Sequence, residues 1–155
     1  TQDVSNQEDF NDWLDLAMQL WPDCPIADLN EIIQSPRQAG FLIRTENKQV
    51  IGLMNLSLRY DYVPDATQSP VGYVEGIYVK AEYRDRGVGA ALIQYAEQWA
   101  HDRGCIELAL DALLDNPASH EFYAKVGFRE VERVVFFIKP IVACNLEYKC
   151  VNIDL

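Results

Sequence analysis

The stretch that decides the fold is Arg84-Asp85-Arg86-Gly87-Val88-Gly89. It follows an apolar run, residues 73–79, that is typical of a strand, and it opens residues 87–103, whose apolar spacing predicts an amphipathic helix. A basic turn between a strand and a helix presents unpaired backbone N–H groups at the positive end of the helix. Such a turn is suited to bind a phosphate or pyrophosphate, and its glycines let a ligand approach the backbone with no Cβ in the way.

The rest of the chain predicts an α/β (α+β) fold with a mixed, mostly antiparallel sheet and helices on both faces. A first helix is predicted from a capping box, Ser5-x-x-Glu8, to near Trp21-Pro22, and a short second helix begins near Asp28. Further elements are predicted as a hairpin (40–45 and 49–58), a loop (60–70), a strand (106–111), a helix (116–125) and two β-rich runs (133–139 and 145–154).

Composition limits the classes of function. The chain has 155 residues, which is most simply one domain, residues 1–155, with a hydrophobic share of 49%. No apolar run of about 18 residues is present, so we expect no membrane span, and no signal peptide is visible. The formal charge of −11 should repel nucleic acid and anionic membranes and attract polycations, although acidity for solubility alone is an equal alternative.

The four cysteines show no metal or redox spacing, because no Cys-x-x-Cys occurs and only two histidines are present. We therefore expect no metal and a reduced, cytoplasmic protein with free thiols. Cys105 lies in an apolar context and is predicted to belong to the core. Cys144 and Cys150 are able to pair, but nothing in the sequence requires it.

The basic turn resembles the acyl-CoA-binding signature of the GNAT acetyltransferase superfamily, here Arg84-x-x-Gly87-x-Gly89. A second landmark of that superfamily follows at the expected separation, Asn116 and then Phe122-Tyr123-x-Lys125-x-Gly127-Phe128. The resemblance implies acetyl-CoA as co-substrate. It implies that the pyrophosphate is held at Arg84, Arg86, Gly87, Val88 and Gly89, and that pantetheine pairs with the backbone of Ile77 and Val79 and bonds to Asn116. The alternative for Arg84 and Arg86 is two solvated surface arginines.

Five further segments resemble one subfamily, the bacterial aminoglycoside 6′-N-acetyltransferases: Leu20-Trp21-Pro22, Arg59-Tyr60-Asp61-Tyr62-Val63, Ser69-Pro70-Val71, Val74-Glu75-Gly76-Ile77-Tyr78-Val79 and Glu132-Arg133-Val134. This implies acetylation of the 6′-amine of an aminoglycoside by direct attack in a ternary complex, in a homodimer. The likeness covers roughly residues 20–140; the first residues match the family's opening strand poorly, and residues 141–155 have no recognised counterpart.

Glu75 and Tyr123 are the candidate acid–base residues. An interior carboxylate is expensive unless partnered, and one beside a substrate ammonium can bind it and accept its proton. Gly76 is suited to a bulge that would re-aim Glu75. The alternative for Glu75 is an exposed strand residue or an internal salt bridge. Tyr123 is the superfamily's usual acid for the leaving thiolate; its alternative is an amphipathic core tyrosine.

Asp111 is a third candidate catalytic residue, placed by the resemblance in the same acceptor cleft, where it and Glu75 would form a negative pocket. Asp61 and Asp65 would extend the pocket, although ordinary turn acids are the alternative for both. Trp21, Tyr60 and Tyr62 are expected to wall the cleft, with Trp21 equally suited to the core. Two rival functions remain open: acetylation of a polyamine or of a protein or peptide amine, and a catalytically idle acyl-CoA-binding module.

Overall fold

The computed structural model describes residues 1–4 and 6–140. It contains five strands and four α-helices, with one 3₁₀ turn at Ala81–Tyr83. In chain order they are β1 Gln2–Asp3, α1 Gln7–Leu20, α2 Ile26–Gln34, β2 Gln38–Arg44, β3 Val50–Arg59, β4 Val71–Val79, α3 Val88–His101, β5 Leu108–Leu110 and α4 Pro117–Lys125.

The five strands form one sheet in the order β1-β2-β3-β4-β5. Neighbours pair antiparallel except β4 and β5, which are parallel and joined through α3. The mixed, mostly antiparallel sheet is therefore confirmed. Strand β1 was not predicted from the sequence, because two residues are too short for a period-two pattern to be visible.

Helices cover both faces of the sheet, as predicted. On one face, α3 packs Leu92, Ile93 and Ala96 against Met54 and Leu56 of β3. The other face carries α1 and α2, whose buried residues Trp13, Leu16, Ala17 and Leu29 pack with Leu42 and Leu53. Successive strand residues point to opposite faces, so Leu53 and Met54 serve the two different cores.

Local signals explain several helix ends. The side chain of Asn6 caps α1 by accepting a hydrogen bond of 2.9 Å from the backbone N–H of Asp9. Ser5, on which the predicted capping box depends, lies outside the described residues. Gly104, with φ +82°, follows α3 in the left-handed conformation that glycine adopts readily. Cys105 comes next and is 4% exposed, which confirms its place in the core.

The predicted strand at 133–139 is wrong for the residues described, which have no regular secondary structure there. A strand needs a neighbour for its backbone groups, and this run lies beside none of the described strands. Its side chains are exposed, Phe136, Phe137 and Ile138 to more than nine-tenths. The second predicted run, 145–154, lies outside the described residues. Within the part of the chain that is described, no helix is long and apolar enough to cross a membrane.

Candidate active site

A β-bulge in β4 sets the position of Glu75. Asn55 of β3 pairs with Gly76, and the next residue, Leu56, pairs with Val74, so Glu75 has no partner in β3. One residue of β4 is therefore extra to the ladder, as a bulge requires. The bulge predicted beside Gly76 is confirmed.

The bulge leaves the two-face alternation of β4 intact on either side of Glu75. Val74, Ile77 and Val79 contribute to the core under α3, whereas Tyr78 packs on the α1 side. Gly76 also faces α1, since a Cβ built there would lie 2.4 Å from the Trp21 ring. Glu75 is thus inserted between two residues that already face in opposite directions, and its carboxylate turns toward β3.

Three donors hold the Glu75 carboxylate, and all come from β3. The Ser57 hydroxyl donates to Oε1 at 2.5 Å, and Arg59 donates from Nε to Oε1 at 3.1 Å and from Nη2 to Oε2 at 2.8 Å. Ser57 and Arg59 are two apart on the strand and so share the α1 face of the sheet. The ion pair is half-buried, with 38% of the Arg59 side chain and 24% of the Glu75 side chain exposed.

The network continues from Arg59 across β4 to β5. The Arg59 guanidinium carbon lies 3.2 Å from the centroid of the Tyr73 ring, a cation–π contact. The Tyr73 hydroxyl donates to Oδ1 of Asp111 at 2.6 Å. Burial and then the hydrogen bond to Asp111 raise the pKa of Tyr73. The pKa of Arg59 is raised overall: partial burial alone would lower it, but the hydrogen bonds and the negative charge of Glu75 have the larger effect.

A cleft of about 350 Å³ opens beside Glu75 and Arg59. Its lining contains four of the predicted acceptor-side residues: Tyr60, Asp61, Tyr62 and Glu75. Tyr60 is 57% exposed and Tyr62 84% exposed, so both rings present an aromatic surface to solvent. A further polar part of the wall comes from Ser35, Arg37 and Gln38, which follow α2 and begin β2, and β3 adds Ser57, Leu58 and Arg59.

Trp21 and Asp111 do not line this cleft. Trp21 packs in the core with Trp13, 6.5 Å between ring centroids, and covers Gly76. Asp111 reaches the cleft only through Tyr73 and Arg59, so the guanidinium of Arg59 lies between the two predicted carboxylates. Asp65 is paired with Arg129.

On the other side of Glu75, the edge of β4 has lost its strand partner. β5 pairs with β4 only as far as Leu110 opposite Val74. The N–H of Lys80 is donated to Ile51, so by alternation the backbone groups of Ile77 and Val79 face away from β3. The described residues offer the carbonyl of Val79 one donor, Nε of Arg84 at 2.9 Å. A gap between β4 and β5 thus exposes backbone groups of β4 that no described strand pairs.

The start of α3 lies at the end of that gap. Gly87 is its N-cap, with φ +80° and no capping side chain, so the N–H groups of Val88, Gly89 and Ala90 have no helical partner. Both arginines of the turn, Arg84 and Arg86, are exposed, and the first turn of α3 carries no acid. This geometry suits an anion. A Cβ at Gly87 would meet open space, whereas at Gly89 it would meet Phe122, so of the two glycines Gly87 is the one beside open space.

The second predicted landmark also lies near this gap. The Asn116 side chain accepts a hydrogen bond from the N–H of Ser119 at 3.2 Å and so caps α4. Tyr123 packs between Phe122 and Phe128, at centroid distances of 5.3 and 5.8 Å. Burial, and then the charge of Asp111, raise the pKa of Tyr123, so its phenol stays protonated at neutral pH.

Sequence reasoning did not assign a site role to Ser57, Tyr73 or Arg59. Arg59 stands in a segment that carried the family resemblance, and Ser57 precedes it by the strand period of two. That spacing is the signal that could have placed both on the face of Glu75. No group of three or more His, Cys, Asp or Glu side chains suited to a metal occurs among the described residues.

Comparison with protein families gives a match over residues 7–128 to the acetyltransferase (GNAT) family. An aminoglycoside N(6′)-acetyltransferase type 1 from Acinetobacter genomosp. 13 is 44% identical over 133 residues, 84% of this chain and 91% of that protein. The protein of the same description from Serratia marcescens is 36% identical over 142 residues, covering 89% of this chain and 97% of the relative.

Solved structures agree. The aminoglycoside 6′-N-acetyltransferase AAC(6′)-Ih from Acinetobacter baumannii superposes with a TM-score of 0.81 at 38% identity, over 90% of this chain and 97% of that one. AAC(6′)-Iy, solved in complex with the bisubstrate analog CoA-S-monomethyl-acetylneamine, gives 0.82 at 35% identity, again over 90% and 97%.

Proposed function

The chain belongs to the GNAT acetyltransferase family, and we propose that it transfers an acetyl group from acetyl-CoA to the 6′-amine of an aminoglycoside. The observation that carries this proposal is the bulge at Glu75. It places one carboxylate at the boundary between a polar, aromatic-edged cleft and the open backbone edge of β4. An amine bound at that carboxylate and a thioester lying along that edge would meet.

The donor side fits acetyl-CoA. The unpaired amides of Val88, Gly89 and Ala90, with Arg84 and Arg86 beside them, are suited to the pyrophosphate. The free edge at Ile77 and Val79 is suited to the amides of pantetheine, which would bind as an additional strand does. When bound, acetyl-CoA supplies a thioester carbonyl carbon that is open to attack by an amine. Asn116 uses one lone pair of its side-chain oxygen to cap α4, so its amide N–H₂ and the second lone pair of that oxygen are left for pantetheine.

On the acceptor side, we assign Glu75 to the reacting amine. A substrate ammonium cannot attack until it loses a proton, and a carboxylate at hydrogen-bond distance can accept that proton directly or through water. Tyr60, Asp61 and Tyr62 flank Glu75 in the cleft and are suited to a polyhydroxylated, cationic sugar. Asp111 adds negative charge behind Tyr73.

Tyr123 is assigned to the leaving group. The sulfur that departs carries negative charge, and a neutral phenol can donate a proton or a hydrogen bond to it. The raised pKa of Tyr123 keeps that proton in place. The attack is direct within a ternary complex, since neither family motif contains a cysteine to carry an acyl group.

The chain is further proposed to act in the cytoplasm and as a homodimer. The first proposal rests on its co-substrate and on two free cysteines, Cys24 and Cys105, among the described residues. The second rests on the exposed run 134–138, which carries Phe136 and Phe137. In a symmetric dimer, the same exposed apolar run is covered on both subunits. Sedimentation at micromolar concentration tests the dimer, and a monomer would contradict it.

The function is tested by measuring thiol release from acetyl-CoA with neamine, kanamycin and tobramycin, and with spermidine and a lysine peptide as rival acceptors. We expect turnover with the aminoglycosides, and product analysis should show the 6′-amide. Glu75→Gln should lower kcat/KM at least about tenfold. Turnover with spermidine but not with the aminoglycosides would identify a polyamine as the acceptor. Binding of acetyl-CoA without turnover of any acceptor would indicate a binding module.

A further inference from the structure

The site of the reacting amine already holds a cation of the chain itself. Arg59 bonds both carboxylate oxygens of Glu75, and Ser57 bonds Oε1 again. A carboxylate has about four lone-pair positions, and an alkylammonium brings three donors. Glu75 therefore cannot receive a substrate ammonium in full while Arg59 keeps both of its bonds.

Arg59 is the partner that is free to leave. Its side chain is 38% exposed, whereas Ser57 is 4% exposed and lies within the ladder opposite Tyr73. Ion pairs with this degree of exposure are weak, because water screens the attraction and compensates its loss. An entering polycation can thus replace the guanidinium without rearranging the sheet.

A second carboxylate lies along the path of Arg59. The guanidinium stacks on the Tyr73 ring, and the hydroxyl of that ring bonds Oδ1 of Asp111. The charge of Asp111 already acts on Arg59 in this position. Asp111 is exposed, so a guanidinium that moves over the ring exchanges one carboxylate for another.

We infer that Arg59 occupies the ammonium subsite at Glu75 in the free enzyme and moves toward Asp111 when the polycationic acceptor binds. The inference rests on the proposed function of the cleft. It makes Arg59 and Asp111 determinants of acceptor affinity, through competition and through accommodation of the displaced cation, while Glu75 contacts the amine.

The test measures binding of neamine to the CoA-saturated enzyme by calorimetry, together with KM and kcat for its acetylation. In Arg59→Met the competing cation is gone, and we expect the dissociation constant and KM to fall about fivefold with kcat within about threefold of wild type. Arg59→Lys keeps the charge but loses the bidentate hydrogen bonding, so its dissociation constant for neamine should lie between those of wild type and Arg59→Met. An equal or weaker affinity in both variants would overturn the inference.

Arg37→Met is the matched control for charge. Arg37 lines the same cleft and forms no ion pair with the described residues, so its loss should tighten neamine binding less than about threefold. An equal gain in Arg37→Met and Arg59→Met would show general electrostatics in place of competition. Thermal unfolding of each variant separates these effects from a loss of folding.

A double-mutant cycle tests the role of Asp111. Asp111→Asn should weaken neamine binding in the wild type and have little effect in the Arg59→Met background, because no guanidinium is then displaced. The same loss in both backgrounds would show that Asp111 binds the acceptor directly. Wild-type enzyme that neither binds nor acetylates neamine would instead contradict the proposed function itself.

Discussion

Gly89 of α3 is the point at which Phe122 of α4 approaches that helix. A Cβ built on Gly89 would lie 2.9 Å from Cζ of the Phe122 ring, closer than real Cβ contacts come. The second glycine of the basic turn is thus explained by helix packing, whereas Gly87 faces open space with φ +80°. The two glycines of this motif are therefore required for different reasons, Gly87 for its left-handed backbone and Gly89 for close packing of α4.

Gly89→Ala should lower the free energy of unfolding by about 1 kcal/mol. Overpacking costs about 1–3 kcal/mol, and the better helix propensity of alanine returns about 1 kcal/mol. Urea denaturation measures the difference. In a Phe122→Leu background the contact is relieved, and the same substitution should be neutral or stabilising. A loss of equal size in both backgrounds would show that Phe122 is not the cause.

Gly87→Asp should weaken acetyl-CoA binding at least about tenfold more than Gly87→Asn does. Asp and Asn both tolerate a left-handed backbone and have nearly the same shape, so the two variants differ mainly in the charge at the start of α3. Calorimetry with acetyl-CoA measures the two affinities. Equal affinities would move the pyrophosphate away from this helix terminus.

Tyr123→Phe should lower kcat at least about tenfold while the affinity for acetyl-CoA stays within about twofold. Burial and the charge of Asp111 hold the pKa of the phenol above its usual 10, so its ionisation should not limit the rate at or below that pH. Tyr95→Phe is the matched control, because Tyr95 packs on Phe41 of β2 at a centroid distance of 5.1 Å. An unchanged kcat would remove Tyr123 from the mechanism.

Glu107→Gln should lower the melting temperature at neutral pH and have no effect in acid. Glu107 accepts from the N–H of Thr67 at 2.8 Å and from its hydroxyl at 2.9 Å, and these bonds lower the pKa of Glu107 from 4.5. A depressed carboxyl pKa stabilises the fold above the unfolded pKa, and this contribution is lost as the pH falls through the folded pKa. Thermal scans from pH 7 to about 3 should show the two proteins converging.

Glu46→Gln, in the hairpin turn between β2 and β3, controls for the loss of one negative charge. A difference between wild type and Glu107→Gln that persists at the acid end would contradict the link to the carboxylate. It would point instead to packing of the loop that carries Thr67.

Periodic elements are the part of the fold that sequence reasoning predicted well. The amphipathic helices and the alternating strands each report a buried face directly, and the bulge at Glu75 was indicated by Gly76. The run 133–139 shows the limit: its β-rich composition describes a preference, while a strand also needs a partner along its edge. That the chain is one domain stays a prediction.

The candidate site divides in the same way. The turn at the start of α3 is local in sequence, so its geometry followed from a few residues. The contact between Arg59 and Glu75 joins residues 16 apart, so the spacing within β3 gives the face on which Arg59 lies but not its partner across the bulge. Trp21 was expected as cleft wall or core, and the structure places it in the core beside Gly76.

The ladder between β3 and β4 is complete without Glu75. With that one residue removed, Val74 would precede Gly76, and the two would still face opposite sides as neighbours in a regular strand do. In this strand, the residues that pair with β3 are therefore different from the residue assigned to the reacting amine. Deletion of the Glu75 codon would remove the carboxylate assigned to the amine and leave the strand pairing and the acetyl-CoA site in place. Such a change is one simple route from an acetyltransferase to a protein that only binds acetyl-CoA.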